Sequence, residues 1–239
     1  MKIIAVLFLL SLNGFFSALN AQSTKPFELK IEPVFGNAAW VEGTYFPLSK
    51  DDSVLITHLK FYLSNVAFYK DSVLVWAETN GFHLVDASNA ASLSLRFDVP
   101  NAVHFDHIKC HLGIDSLTNV SGAMGGDLDP TRGMYWAWQS GYVNFKLEGK
   151  SNLCPTRKNV FQFHLGGYLP PFYGLQNLIF PITGQTDKAV IQVDIQQFLL
   201  QLDLKIQNSI MIPCEEAVLL AQKAQSIFKV KSEKLKVKN

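Results

Sequence analysis

The sequence predicts an all-β fold: an antiparallel β-sandwich carrying a long Gly/Asp-rich loop and a C-terminal helix. Three observations lead there. Short runs rich in β-branched and aromatic residues recur along the chain, punctuated by Gly, Asp, Asn and Pro. One polar stretch, residues 114–133 (IDSLTNVSGAMGGDLDPTRG), interrupts them, and a loop of that length in a compact domain usually has a function. Near the C-terminus the apolar spacing changes from the period of a strand to that of a helix.

Residues 1–21 read as a secretory signal. Lys2 supplies the positive start, 3–10 the apolar segment, and Leu12, Phe15 and Phe16 extend it. Ala21 is a small residue suited to cleavage, which leaves Gln22 as the mature N-terminus. Ser11, Asn13 and Ser17 break the run, which is short for a membrane span, and no later run is long enough to cross. No cysteine near the cleavage point invites lipidation. The chain is therefore expected in the periplasm or secreted, with one domain over 22–230 and a basic, solvated tail over 231–239.

Within the domain, residues 27–35 alternate as FELKIEPVF. Residues 53–69 form one long strand pattern, with a kink expected at Asn65, and 73–77, 93–99 and 102–113 read as further strands. After the polar interruption, strands resume at 143–147, 159–165, 178–182 and 189–195. In 214–228 the apolar residues Val218, Leu219, Ala221, Ala224, Ile227 and Phe228 suit one helical face. Glu215 and Glu216 favour the start of that helix through its dipole, and Pro213 precedes it sensibly.

Composition narrows the partners. Hydrophobic residues make up 48% and charged residues 17%, enough for a large core and against global disorder. A net charge of +1 gives no field to attract nucleic acid or an acidic membrane surface. Export permits disulfides, but an odd set of three cysteines allows at most one internal bridge. Cys154–Cys214 is the expected pair, because both lie beside loop prolines (Pro155, Pro213), while Cys110 sits in a strand pattern.

Three groups of residues could carry chemistry. The run 133–149, GMYWAWQSGYVNFKLEG, sets Met134, Tyr135, Trp136, Trp138 and Tyr142 beside the polar loop. On a strand, Trp136 and Trp138 face the same side. They are either core, or part of a soft metal site with Met134 and an imidazole. His83 and His164 each sit in an apolar setting. His104, His107 and His111 cluster around Lys109, whose charge repels a cation, and read as surface residues. Asp115, Asn119, Asp127 and Asp129 supply oxygens near glycines and are candidate calcium ligands, although their spacing is not that of an EF-hand and an Asx-turn system is the alternative. There is no GxSxG, HExxH, CxxC or Walker loop, and no enzymatic activity is expected.

A set of motifs in fixed order then adds a family expectation: Phe35-Gly36, FYLSN at 61–65, His83-Leu84-Val85-Asp86, Gly113-Ile114-Asp115, Asn119, Gly122 and Leu128-Asp129-Pro130. The order continues through 133–138, Ser140-Gly141-Tyr142, Lys146-Leu147-Glu148-Gly149, His164-Leu165-Gly166-Gly167 and the terminal helix. Over about residues 29–230 the chain resembles the MbnP-like, methanobactin-associated periplasmic copper-binding proteins. The resemblance implies a β-rich secreted protein in which a di-haem partner of the MauG-like peroxidase type oxidises a tryptophan to kynurenine. Copper is then held by the modified residue together with histidine. The W-x-W motif corresponds to Trp136-Ala137-Trp138, His164 is the first ligand candidate and His83 the second, and Met134 is a neighbour. Kynurenine presents an aromatic amine and a ketone that indole lacks, and imidazole and thioether suit copper. The cysteines are not part of that pattern. The competing expectation is a non-catalytic binding or structural module of the envelope, with the tryptophans and histidines in its core and calcium in the polar loop.

Overall fold

A computed structural model describes residues 23–183 and 186–231. The expected signal segment and all of the basic tail after Lys231 lie outside the described residues. The chain opens with β1 (Thr24–Phe35), whose alternation buries Phe27, Leu29 and Ile31, followed by β2 (Ala38–Ala39) and β3 (Tyr45–Pro47). The longest strand, β4 (Ser53–Lys70), leads to β5 (Val73–Ala77), β6 (Phe82–Asp86), β7 (Ser94–Pro100) and β8 (His107–Leu112). The polar segment starts with α1 (Ser116–Val120) and ends at β9 (Tyr135–Trp136), before β10 (Gly141–Ser151) and β11 (Val160–Gly166). A small hairpin, β12 (Tyr168–Leu169) and β13 (Phe172–Tyr173), precedes β14 (Gln176–Pro181) and β15 (Lys188–Asp194). The chain closes with α2 (Ile195–Leu199), β16 (Ser209–Ile210), α3 (Glu215–Gln225) and β17 (Phe228–Val230).

The strands form two main sheets around a shared core. The larger runs β14-β8-β4-β10-β11-β16, with β3, β5 and β6 on β4 and β9 on β10; the smaller runs β17-β15-β1-β2, with β7 on β1. Phe27, Leu29 and Ile191 of the smaller sheet meet Phe61, Phe68, Phe145 and Phe163 of the larger in one buried cluster. The sequence predicts an antiparallel sandwich, and two pairings correct this: β1 pairs β15 in parallel, and β11 pairs β16 in parallel. Alternation sets which face a strand buries but says nothing of its partner's direction, and β1 and β15 are joined by almost the whole chain rather than by a hairpin.

The expected kink is present. Asn65 has φ 53°, and the register with β8 shifts between Ser64 and Ala67. Here β4 changes neighbour, pairing β10 over 54–61 and β8 from Leu63 onward. A second irregularity lies between Glu148 and Gly149 in the β10–β4 ladder.

Other expectations need correction. The polar interruption is built of short helical turns: α1, then 3-10 turns at Gly126–Leu128 and Pro130–Arg132. The C-terminal helix turns Ala217, Leu220, Ala221 and Ala224 inward, at helical spacing, and leaves Leu219 exposed. All three cysteines are free, so the expected Cys154–Cys214 bridge is absent. Cys154 is buried beside β10, whereas the Cys214 sulfur caps α3 by accepting from the Ala217 N–H at 3.4 Å. Among the described residues no helix is long and apolar enough to cross a membrane.

The bulge at Gly149 leads to a stability prediction. A Cβ there meets the Leu55 carbonyl oxygen at 2.4 Å and the Phe161 ring at 2.5 Å. Gly149→Ala should therefore lower stability by about 1–3 kcal/mol in urea unfolding, the usual cost of overpacking a core.

Candidate functional site

The polar segment is tied down by buried hydrogen-bonding side chains, three from the sheet and Asn119 from α1. The Tyr62 hydroxyl donates to the Asp127 carbonyl at 3.0 Å, and the Tyr142 hydroxyl to the Leu128 carbonyl at 3.1 Å. Burial pushes both phenols above their ordinary pKa, so they remain donors. Asn119 donates to the carbonyls of Ile114 and Asp115 (3.0 and 2.9 Å) and accepts from the Tyr142 N–H at 2.8 Å. Asn144 accepts from the Ile114 N–H at 3.0 Å. A second, smaller core of Tyr62, Leu84, Ile114, Leu128, Met134, Trp136, Tyr142 and Val143 results.

This second core fixes Trp136. Its ring lies against Gly166 of β11, where an added Cβ would meet the indole at 2.7 Å and the Tyr142 carbonyl at 2.6 Å. Gly166 and His164 are two residues apart, hence on the same face of β11. Both Trp136 and His164 border an open depression of about 430 Å³, together with Tyr135, Trp138, Lys146 and Met211. The indole N–H of Trp136 is buried and has no hydrogen-bond partner among the described residues. Trp40 Nε1 and Asn144 Nδ2 are buried and unpartnered in the same way, and what sets Trp136 apart is its place on the depression with His164.

The two tryptophans have different surroundings. β9 ends at Trp136, and a turn over 137–140 breaks the alternation that would keep both on one face. Trp136 is 7% exposed and Trp138 63%, with ring centroids 6.0 Å apart. The loop leading to Trp136 is also held from below, since Lys60 and Lys146 donate to the carbonyls of Arg132 (3.4 Å) and Gly133 (3.1 Å).

His164 belongs to a polar cluster that spans three strands. Its Nε2 lies 2.5 Å from Glu148 Oε1, and His58 Nδ1 lies 2.9 Å from Glu148 Oε2. Lys146 Nζ is 3.6 Å from Glu148 Oε1. The hydrogen bond from His164, reinforced by the charges of Lys146 and the two histidines, outweighs burial and holds the Glu148 carboxyl down at about 2.

The remaining candidates lie elsewhere. His83 pairs with Glu78 at 2.7 Å and packs edge-on against Phe97; it does not border the depression. Met134 is completely buried in the second core, while Met211, not singled out from sequence, borders the depression. The four calcium candidates do not converge. Asp115 caps α1 through the Thr118 N–H, Asn119 is spent on backbone groups, Asp127 accepts from the Leu84 N–H at 2.9 Å, and Asp129 accepts from Thr131. Among the described residues, no three His, Cys, Asp or Glu side chains gather as a ready metal site. Glu148 and His58 were missed for an evident reason: one lies in the KLEG run and the other in a strand, and only the sheet register joins them to His164.

A pH dependence follows. A carboxylate whose pKa is lowered by folding stabilises the native state above its unfolded value, and that contribution is lost as pH falls through the folded one. The stability advantage of wild type over Glu148→Gln in urea titrations should be full above about pH 5 and fade toward about pH 2. An advantage that does not change across this window would contradict the assignment.

Comparison with known proteins agrees with this architecture. A sequence model of the MbnP family matches residues 24–212. Among solved structures, MbnP from Methylosinus trichosporium superposes with a TM-score of 0.61 at 13% identity, covering 87% of this chain and 98% of that one. At that identity the likeness is one of fold. No curated protein sequence matches. With the family match spanning most of the chain, this protein belongs to the MbnP family.

Proposed function

We propose that this is an exported copper-binding protein whose site is completed when Trp136 is oxidised to kynurenine, the new residue then binding copper together with His164. The observation that carries this reading is that Trp136, whose indole N–H is buried and without a hydrogen-bond partner among the described residues, borders the same depression as His164. The donor chemistry fits a site finished after folding. Of the residues that border the depression only His164 is a His, Cys, Asp or Glu, and no group of three such side chains that could hold a metal occurs among the described residues. Oxidation by peroxide equivalents cleaves the carbon–carbon bond of the pyrrole ring and adds one oxygen to each carbon, and water then hydrolyses the resulting N-formyl group to release formate. An aromatic amine and a ketone remain beside the imidazole.

A di-haem peroxidase of the MauG-like type is the proposed source of oxidising equivalents. Trp138, Met211 and Ile212 are exposed around the depression and leave it open to such a partner. Copper, when bound, would supply the redox chemistry, and the protein its ligands. His164 provides the nitrogen ligand, and Met211 a thioether that favours the cuprous ion. The ammonium of Lys146 on the same depression repels a cation, and repels the singly charged cuprous ion less than the cupric ion.

The test is a copper(I) competition titration on protein matured with its partner enzyme. Trp136→Phe should weaken binding at least 100-fold, or about 2.7 kcal/mol, while Trp138→Phe retains it. Undiminished affinity in Trp136→Phe would overturn the proposal.

A further inference from the structure

We infer that Glu148, itself braced by His58, is a positioning residue that fixes the tautomer of His164, so that this imidazole presents Nδ1, and not Nε2, as its ligand nitrogen. The inference rests on the copper reading above and names which atom of the site does the binding.

The geometry comes from the register of three adjacent strands. Glu148 on β10 stands directly opposite His58 on β4. His164 on β11 stands opposite Lys146, two residues before Glu148, and so is diagonal to Glu148 on the same face. Each carboxylate oxygen faces a different ring: Oε1 lies 2.5 Å from His164 Nε2 and Oε2 lies 2.9 Å from His58 Nδ1. An ionised carboxylate only accepts hydrogen bonds, so the proton at the first contact sits on Nε2 of His164. In the neutral imidazole the lone pair is then on Nδ1. His58 holds the far oxygen and stops the carboxylate from rotating away. The Glu148 side chain is only 16% exposed and that of His164 10%, so water competes poorly for either.

Such a carboxylate does two things for a ligand histidine. It sets the ring's orientation before the ion arrives, and it raises the basicity of the ligating nitrogen. Loss of a partner of this kind typically costs 10–100-fold in metal affinity. Lys146, 3.6 Å from the same oxygen, adds charge balance without replacing the imidazole contact.

The experiment is long-range proton–nitrogen NMR of the copper-free protein near pH 8, paired with copper(I) competition on the matured protein. In wild type, His164 should carry its proton on Nε2. In Glu148→Ala the ring should become a mixture of tautomers, and copper(I) affinity should fall about 10–100-fold. Glu148→Asp, which keeps the carboxylate, should recover part of both signals. A proton on Nδ1 in wild type, or an Ala variant with unchanged tautomer and affinity, would overturn the inference. The tautomer is read without copper. A wild-type protein with the Nε2 proton that binds no copper after maturation would instead refute the copper reading.

Discussion

Everything at the candidate site depends on how the sheet satisfies the backbone of the polar segment. Residues 114–133 form little regular structure, so their carbonyls need donors from elsewhere. Tyr62 and Tyr142 bring hydroxyl donors from inside the sheet, Asn119 of the segment itself donates to the Ile114 and Asp115 carbonyls, and Asn144 of the sheet accepts from the Ile114 N–H. The dependence is mutual. Without that segment the Tyr62 and Tyr142 hydroxyls would be buried and unpaired, at a cost of about 1–3 kcal/mol each. A stretch that looks like solvated loop is therefore locked into a second small core, and Trp136 is a member of that core.

The larger sheet provides the other half of the site. Its ladder brings β4, β10 and β11 side by side, so that His58, Glu148 and His164 meet on one face although they are far apart in sequence. Gly149 allows the local irregularity next to Glu148, and Gly166 leaves space for the indole two residues from His164. A rigid ladder supplies the imidazole and a pinned loop supplies the indole. The depression between them needs no large movement to be reached.

Much of the fold was legible in the sequence because strong alternation leaves little choice of conformation. The long pattern of β4 with its break at Asn65, the run 73–77 and the opening strand fall where the residues predict. Two features were lost: parallel pairing of β1 with β15, which alternation cannot encode, and the strand β6, whose FHLVD was read for its histidine and as a family motif but not as a strand. Ile195, expected to end the strand over 189–195, instead begins α2, since a short apolar run fits either state. At the site, Trp136 and His164 were identified from sequence and share one depression. His83, Met134 and the four oxygen ligands were also named, yet each is engaged elsewhere in the fold. The different exposures of Trp136 and Trp138 depend on a turn that the W-x-W spacing conceals, and the place of Glu148 depends on three-strand register.

The central claim is that the buried indole, not the exposed one, is converted into a copper ligand. It is tested most directly by peptide mass spectrometry of protein purified from its native host, with copper quantified on the same sample. The account predicts a gain of two oxygens and loss of one carbonyl at Trp136, an unchanged Trp138, and copper in proportion to the modified fraction. Copper-replete protein with both tryptophans intact, or the modification confined to Trp138, would contradict it.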